Sequence, residues 1–365
     1  MGGGTAVEPV IKGNGFRILV DADGSLITGA VLGGPPPNPR GIESTAMGDG
    51  AFAFSGAIWN PSTYYQFWLV MTDMDGTVLW EKQYGTPVAD HCRAIAATAD
   101  GGYIMAGSTS YGPYHYMLLK TDADGDEMWR KYYATVSLLK HDIIEIPGGF
   151  LLSGQYNPGG EDEGNGIIIT LDSQGNQEKV WTYGGNERDG FFSIEATAGG
   201  YILSGLYDLR PWILRINEEG DPVWDDVLDT PDTAYGYAAR GTSDGGYVLL
   251  ATPYAYGDGE EVIVARYNAA GTRLWTTSVR GPDYLAYDII QTSDGGYAIA
   301  GTTRRSGGEF DWIPWILKLQ PERFDTADLL SLLCEWGCES DCIYDLNGDL
   351  TVGEGDLAIL LDNWQ

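Results

Sequence analysis

Apolar positions along this chain fall in short runs and alternations, each closed by Gly, Asp, Asn, Ser or Pro. That pattern predicts short β-strands joined by tight turns. The strands also recur as a unit. TADGGYIMAGSTS (98–110), TSDGGYVLLATPY (242–254) and TSDGGYAIAGTTR (292–304) are one motif, with weaker copies at 47–58, 146–156 and 197–207. Their anchoring aromatics are Phe52, Tyr103, Phe150, Tyr201, Tyr247 and Tyr297, spaced 46 to 51 residues apart.

A second motif runs in phase with the first: LVMTDMDGTVLW (69–80), LLKTDADGDEMW (118–129), IITLDSQGNQEKVW (168–181), ILRINEEGDPVW (213–224) and VARYNAAGTRLW (264–275). Each is an apolar strand, a Gly-ended turn and a strand carrying Trp. Together the motifs make units of about four strands, and such units repeated radially build a β-propeller. Six units lie between about 42 and 320. The pattern resembles the "DGGY…AG…D.DG..W" repeats of bacterial and archaeal propellers, and more loosely the quinoprotein-type propeller repeat. The resemblance implies a fold and leaves the activity open, because propellers host many. The D-x-D-G turns at Asp73/Asp75, Asp122/Asp124 and Asp21/Asp23 could hold cations. Two units replace them with NEEG and NAAG and keep only the Gly, so they read as turn geometry.

The ends break the period. The sixth unit stops after a third strand, DWIPWILKL (311–319), without a Trp-bearing fourth. GFRILVDADGSLITGAV (15–31) reads as a third strand, turn and fourth strand, so residues 26–31 would complete the last blade. Phe16–Val20 is then surplus. The same hairpin also reads as first and second strands, since ADGSLITGA echoes SDGGYAIAG. GGPPPNPR (33–40) follows as a stiff spacer. The expected domains are an N-terminal arm (1–41), an all-β propeller (42–320) and a small helical tail (321–365).

The tail carries DLNGDLTVGEGD (345–356), with oxygen ligands at loop positions 1, 3, 5 and 12: Asp345, Asn347, Asp349 and Asp356. The Thr351 carbonyl would serve position 7. Ca²⁺ takes six to eight oxygens from such a loop. Asp rather than Glu at position 12 makes the loop resemble that of type I dockerins. FDTADLLSLLCEWG (324–337) and VGEGDLAILLDNWQ (352–365) align at an offset of 28, the echo of a dockerin's paired segments. At that offset the first loop's ligand positions fall on Leu317, Leu319 and Pro321, leaving one working loop. The resemblance implies a cohesin-like partner. Glu354 and Gly355 depart from the hydroxyl pair often found at the recognition positions, which also leaves docking on the chain's own propeller or on a sister subunit open.

Fifty-two acidic residues against 21 Lys and Arg give a formal charge of −31. That field disfavours nucleic acid and anionic membranes and favours cations and basic partners. No apolar run approaches the ~18 residues of a membrane helix. MGGGTAVEPV lacks the regions of a signal peptide, which fits a processed form of an extracellular or cell-surface protein, or another route. Three of the four cysteines, Cys334, Cys338 and Cys342, cluster beside the acidic loop. Four cysteines admit three pairings. The three-residue spacer favours Cys338–Cys342, with Cys92 outside that bridge or paired with Cys334.

No phosphate loop or H-E-x-x-H is present, and the one G-x-S-x-G match, GTSDG (241–245), is a copy of the repeated hairpin turn and not a nucleophile elbow, so an enzyme reading reduces to a glycosidase-like acid pair among the carboxylates. Loops joining second to third strands would share one face with the loops between units. Tyr64, Tyr65, Tyr114, Tyr254 and Tyr256 on those loops suit a polysaccharide or cation. These features favour a non-catalytic structural or assembly protein that self-associates through the surplus strand, ahead of a glycan-binding or cohesin-docked module or a carbohydrate-active enzyme. For the acidic loop, we expect calorimetry near neutral pH to show uptake of one Ca²⁺. Chelation should lower the melting temperature, because the lost ligand binds only the folded state; a calorimetric blank would remove the metal from the tail.

Overall fold

The computed structural model describes residues 15–20, 26–32, 40–48, 51–112, 116–133, 142–156, 164–185, 188–230, 233–253, 261–280, 285–304, 312–319 and 352–353. Within them the repeats form five four-stranded antiparallel meanders and a three-stranded sixth. The first strands are Arg40–Gly48, Asp90–Ala97, Asp142–Ile146, Gly190–Thr197, Ala234–Gly241 and Leu285–Gln291. From blade one to blade five, each packs beside the first strand of the next blade, so the sheets are arrayed about an axis with first strands innermost. The architecture is that of a six-bladed β-propeller.

Burial follows position in the blade. The third strands, such as Tyr64–Asp73 and Tyr116–Thr121, are buried almost throughout, because a neighbouring blade covers each face. Their sequences are accordingly near-continuous apolar runs. The fourth strands, such as Val78–Tyr84 and Gln177–Tyr183, lie at the rim and are partly exposed.

Blades are joined by the repeated Trp and the Gly of the next blade's turn. A Cβ on Gly125 would lie 2.7 Å from the Trp80 ring, and the same clash arises at Gly175 with Trp129, Gly220 with Trp181 and Gly271 with Trp224. Gly125 also has φ +78°, so both the turn and the ring above it require glycine. The Tyr84 hydroxyl donates to the Gly125 carbonyl at 2.5 Å, and that of Tyr183 to Gly220 at 2.7 Å. The leading Asp or Asn of these turns caps the backbone. Asp122 Oδ1 accepts the amides of Asp124 (3.0 Å) and Asp126 (2.7 Å), and Asn217 Oδ1 those of Glu219 (3.1 Å) and Asp221 (2.7 Å). The turn reading therefore holds at those sites; Asp21 and Asp23 lie outside the described residues.

The N-terminal hairpin is a correction to one expectation and a refinement of another. Gly15–Val20 pairs with Leu26–Leu32, and the register skips one residue, from Leu19↔Thr28 to Val20↔Leu26. The same step occurs between third and fourth strands at Met71↔Trp80 to Thr72↔Val78, and at Arg215↔Trp224 to Ile216↔Pro222. The hairpin is thus an outer half-blade, with Thr28 in the place of Trp, and the reading as first and second strands is wrong. Nor do residues 26–32 join the sixth sheet. They complete their ladder with Gly15–Val20, leaving Trp312–Leu319 as the last strand of its sheet among the described residues.

The T-x-D-G-G turns carry a second fastening. Asp100 accepts from the Thr98 hydroxyl (2.6 Å), the Gly102 amide (3.0 Å) and Lys120 Nζ (2.8 Å), the last on a side chain 4 % exposed. Asp244 with Arg266 and Asp294 with Lys318 repeat the arrangement. Partial burial works against ionisation of Asp100, but the bonds from Lys120, Thr98 and Gly102 outweigh it and hold its pKa down at about 2. A depressed carboxyl stabilises the fold above its unfolded value near 4, and that contribution is lost as pH falls from about 4 to about 2. Asp100→Asn should cost about 1 kcal/mol at neutral pH, after allowance for screening of this half-exposed group. Urea titrations from pH 7 down to pH 2 check it: the gap from wild type must close in acid.

Candidate functional site at the propeller axis

Each first strand of five blades bulges near its entry. The residue skipped by the ladder is Glu43, Arg93, Phe192, Tyr237 or Tyr287, in blades one, two, four, five and six. A bulge turns an additional side chain away from the regular pleat. Three of these residues are aromatic and meet from blade to blade. Phe192 and Tyr237 have ring centroids 5.7 Å apart, and Tyr237 and Tyr287 5.8 Å, with buried Tyr235 behind them at 5.4 Å from Phe192. Tyr287 is 46 % exposed.

Deeper along the same strands stands a charged cluster. Arg240 donates to Ser193 Oγ at 2.7 Å, pairs with Asp288 at 2.7 Å and lies 3.6 Å from Glu195. Asp142 of blade three accepts the amides of Ile143 (2.9 Å) and Ile194 (3.3 Å) and feels both Arg240 and Asp288. Four consecutive blades therefore send ionisable side chains to one place. Blades one and two send small ones: Ala46 and Ala96 stand, by the ladders, at the positions that hold Glu195 and Arg240 in blades four and five, and both are partly exposed.

Burial raises Asp142 to about 6, against the pull of Arg240 and the two amides, with Asp288 adding to the rise. Burial also raises Glu195, against the Gly241 amide and Arg240. Arg240 is held protonated by Asp288, Asp142 and Glu195, which overcome its own desolvation. With one cation among three carboxylates, the cluster is negative even while Asp142 is protonated, and more so once it ionises.

The loop tyrosines expected to bind ligand are only partly in view. Tyr64 is 58 % exposed at a loop tip, with φ 61°, and the Tyr65 ring lies 4.5 Å from that of His91. Tyr114, Tyr254 and Tyr256 lie outside the described residues, as do Asp345, Asn347, Asp349, Thr351, Asp356, Cys334, Cys338 and Cys342. Cys92 is fully buried, its Sγ 3.5 Å from the Ala94 carbonyl. Sequence reasoning missed the axial cluster. Its only signal is a set of charges (Asp142, Glu195, Arg240, Asp288) on first strands that are otherwise largely apolar.

No family model matches the chain, and no curated protein does. Solved structures do. A protein of unknown function from Dyadobacter fermentans aligns with TM-score 0.54 and 12% identity over 77% of this chain and 95% of its own. The Dos1 propeller aligns with TM-score 0.50 and 12% identity over 84% of this chain and 74% of its own. At that identity the likeness is one of fold, and the class is the β-propeller.

The raised pKa of Asp142 has a definite sign. The folded state holds that proton more tightly than the unfolded chain, so the group's cost appears as pH rises from about 4 through about 6. Asp142→Asn removes the charge but keeps an acceptor for only one of the two amides, since Ile143 bonds Oδ1 and Ile194 bonds Oδ2, so it carries a pH-independent cost of its own. Relative to wild type, the variant should therefore gain about 1–2 kcal/mol between pH 4 and pH 8. Chemical unfolding of both proteins at pH 4, 6 and 8 measures this, and a stability difference that does not change with pH would contradict it.

Proposed function

We propose that the chain is a non-catalytic, extracellular or cell-surface assembly protein, in which a calcium-binding tail accompanies a propeller whose blades are completed by strand addition between copies. The observation that carries this reading is a mismatch at the seam between the last blade and the first. The residue opposite Ala300 in the sixth blade, Ile316, is 38 % exposed, whereas its counterparts Leu69, Leu118, Ile168, Ile213 and Val264 are all 0 % exposed. Those five pack toward the next blade; Leu118, for example, joins Ile143 and Phe150. The sixth blade thus has an under-covered face and, among the described residues, no fourth strand, while the N-terminus holds a half-blade in blade register.

A strand end without a ladder partner is a template for another chain, and head-to-tail completion gives filaments unless the contact closes. The proline-rich segment 33–39 is long enough to carry the hairpin toward a neighbour, and the strong negative charge would otherwise hold copies apart. The tail loop at 345–356 supports an extracellular setting, where Ca²⁺ is abundant, and suits docking of the tail on a cohesin-like partner or on a sister subunit.

Deleting residues 1–32 tests the assembly. Multi-angle light scattering should show wild type above monomer mass and the truncated chain at monomer mass. A synthetic peptide covering 15–32 should bind the truncated chain, which keeps the test meaningful if truncation loosens the fold. A wild-type protein that is monomeric at all concentrations, and stays so after deletion, overturns the proposal.

A further inference from the structure

We propose that the axial site binds a methylated ammonium group, with the aromatic arc of Phe192, Tyr237 and Tyr287 receiving the alkylated face and the carboxylates of Asp142, Glu195 and Asp288 supplying the countercharge. The inference does not rest on self-assembly, because it uses first-strand residues of blades three to six and not the sixth blade's third strand, which carries the seam argument.

Three observations on different parts of the site converge. The first is placement: blades four and five set Glu195 and Arg240 at the ladder positions that hold Ala46 and Ala96 in blades one and two, so the charge is gathered on one side of the ring. Glu195 and Asp288 have side chains 36% and 48% exposed, although Ile194 and Ile289 beside them are buried, so solvent reaches the cluster from within the ring. The second is the arc itself. Three aromatic residues occupy ladder bulges in three consecutive blades, a placement that no packing rule for a first strand demands. Aromatic faces attract an alkylated cation through the ring quadrupole, and most strongly where water is partly excluded.

The third is charge. Arg240 is the cation in contact with the cluster, and its hydrogen bonds go to Ser193 and Asp288 and to the Ala239 carbonyl at 3.1 Å. Glu195 is engaged by the Gly241 amide at 2.9 Å and lies near Arg240. Asp142 has backbone amides but no cation within contact distance among its described partners. A bound cation would supply that charge, and the excess of carboxylates over guanidinium at the axis matches the sign of the whole chain. A neutral sugar could stack on the same rings, but it would leave the charge where it is.

Choline is the probe, and 3,3-dimethyl-1-butanol, its uncharged carbon isostere, is the control. Calorimetric titration of the full chain, with broadening of the choline N-methyl resonance as a second readout, should show saturable choline binding at pH 8. Binding should weaken by about fivefold at pH 5, where Asp142 is protonated. Tyr237→Leu and Asp142→Asn should each weaken choline binding at pH 8 by a similar factor; the circular dichroism spectrum and melting temperature confirm that each variant is folded. Equal binding of the alcohol would make the site merely apolar and overturn the proposal. So would no saturable binding of choline, unchanged affinity in both folded variants, or displacement of choline by a neutral oligosaccharide with the same affinity at both pH values.

Discussion

A tryptophan on the outermost strand of one blade lies flat over a glycine in the turn of the next, and the rest of this fold depends on that contact being repeated. The blade alone is a small twisted sheet with two apolar faces, and such a sheet does not survive in water unless both are covered. The Trp–Gly contact fixes how far apart successive sheets stand at the rim, and the Tyr hydroxyl bonded to the same glycine's carbonyl fixes their rotation. Any side chain at the glycine would push the ring away. The constraint acts on two blades at once, so turn and ring are tied together although they lie about 45 residues apart in sequence.

A contact that always points to the next blade must run out at the last one. Among the described residues the sixth blade ends at its third strand, Trp312–Leu319, with no Trp-bearing fourth strand to point onward. The seam therefore differs from the other five junctions in chemistry as well as in connectivity. Ile316 records the difference locally, exposed in a position where branched or long aliphatic residues are otherwise sealed. The N-terminal hairpin answers with the right backbone and the wrong side chain: its bulge matches the outer hairpins, but Thr28 stands where Trp would be. A seam without its tryptophan lacks the ring packing of the other junctions, which is the opening that the proposed strand addition would use.

Much of this was legible in the residue pattern. Period, turn chemistry and the two in-phase motifs define the blades to within a few residues, because glycine and aspartate in a tight turn answer to local geometry that no tertiary context alters. Asp122 and Asn217 cap their turns in the same way, which is why the pattern survives when its carboxylates do not. The hairpin's role was ambiguous for a definite reason. Its sequence echoes two motifs, and only the skipped residue Ile27 in the ladder separates them. The axial site was not legible. Asp142, Glu195, Arg240 and Asp288 lie roughly 50 residues apart in the chain and meet only because four first strands are set around one axis. The bulges that expose Phe192, Tyr237 and Tyr287 leave no compositional mark.

The axis and the rim therefore answer to different pressures. At the rim the first five repeats keep both the Trp and the turn glycine, and departures would loosen a junction. At the axis the equivalent positions hold Ala, Ile, Glu and Arg in different blades, so symmetry is broken where it costs the fold least. Burying Asp142 until its pKa reaches about 6 works against stability at neutral pH. A surface carboxylate costs nothing of the kind, and the chain has many to spare. Retaining an unfavourable acid in the one region free of repeat constraints, beside rings that the ladder has turned out of register, is the expected mark of a surface shaped for a ligand and not for the fold.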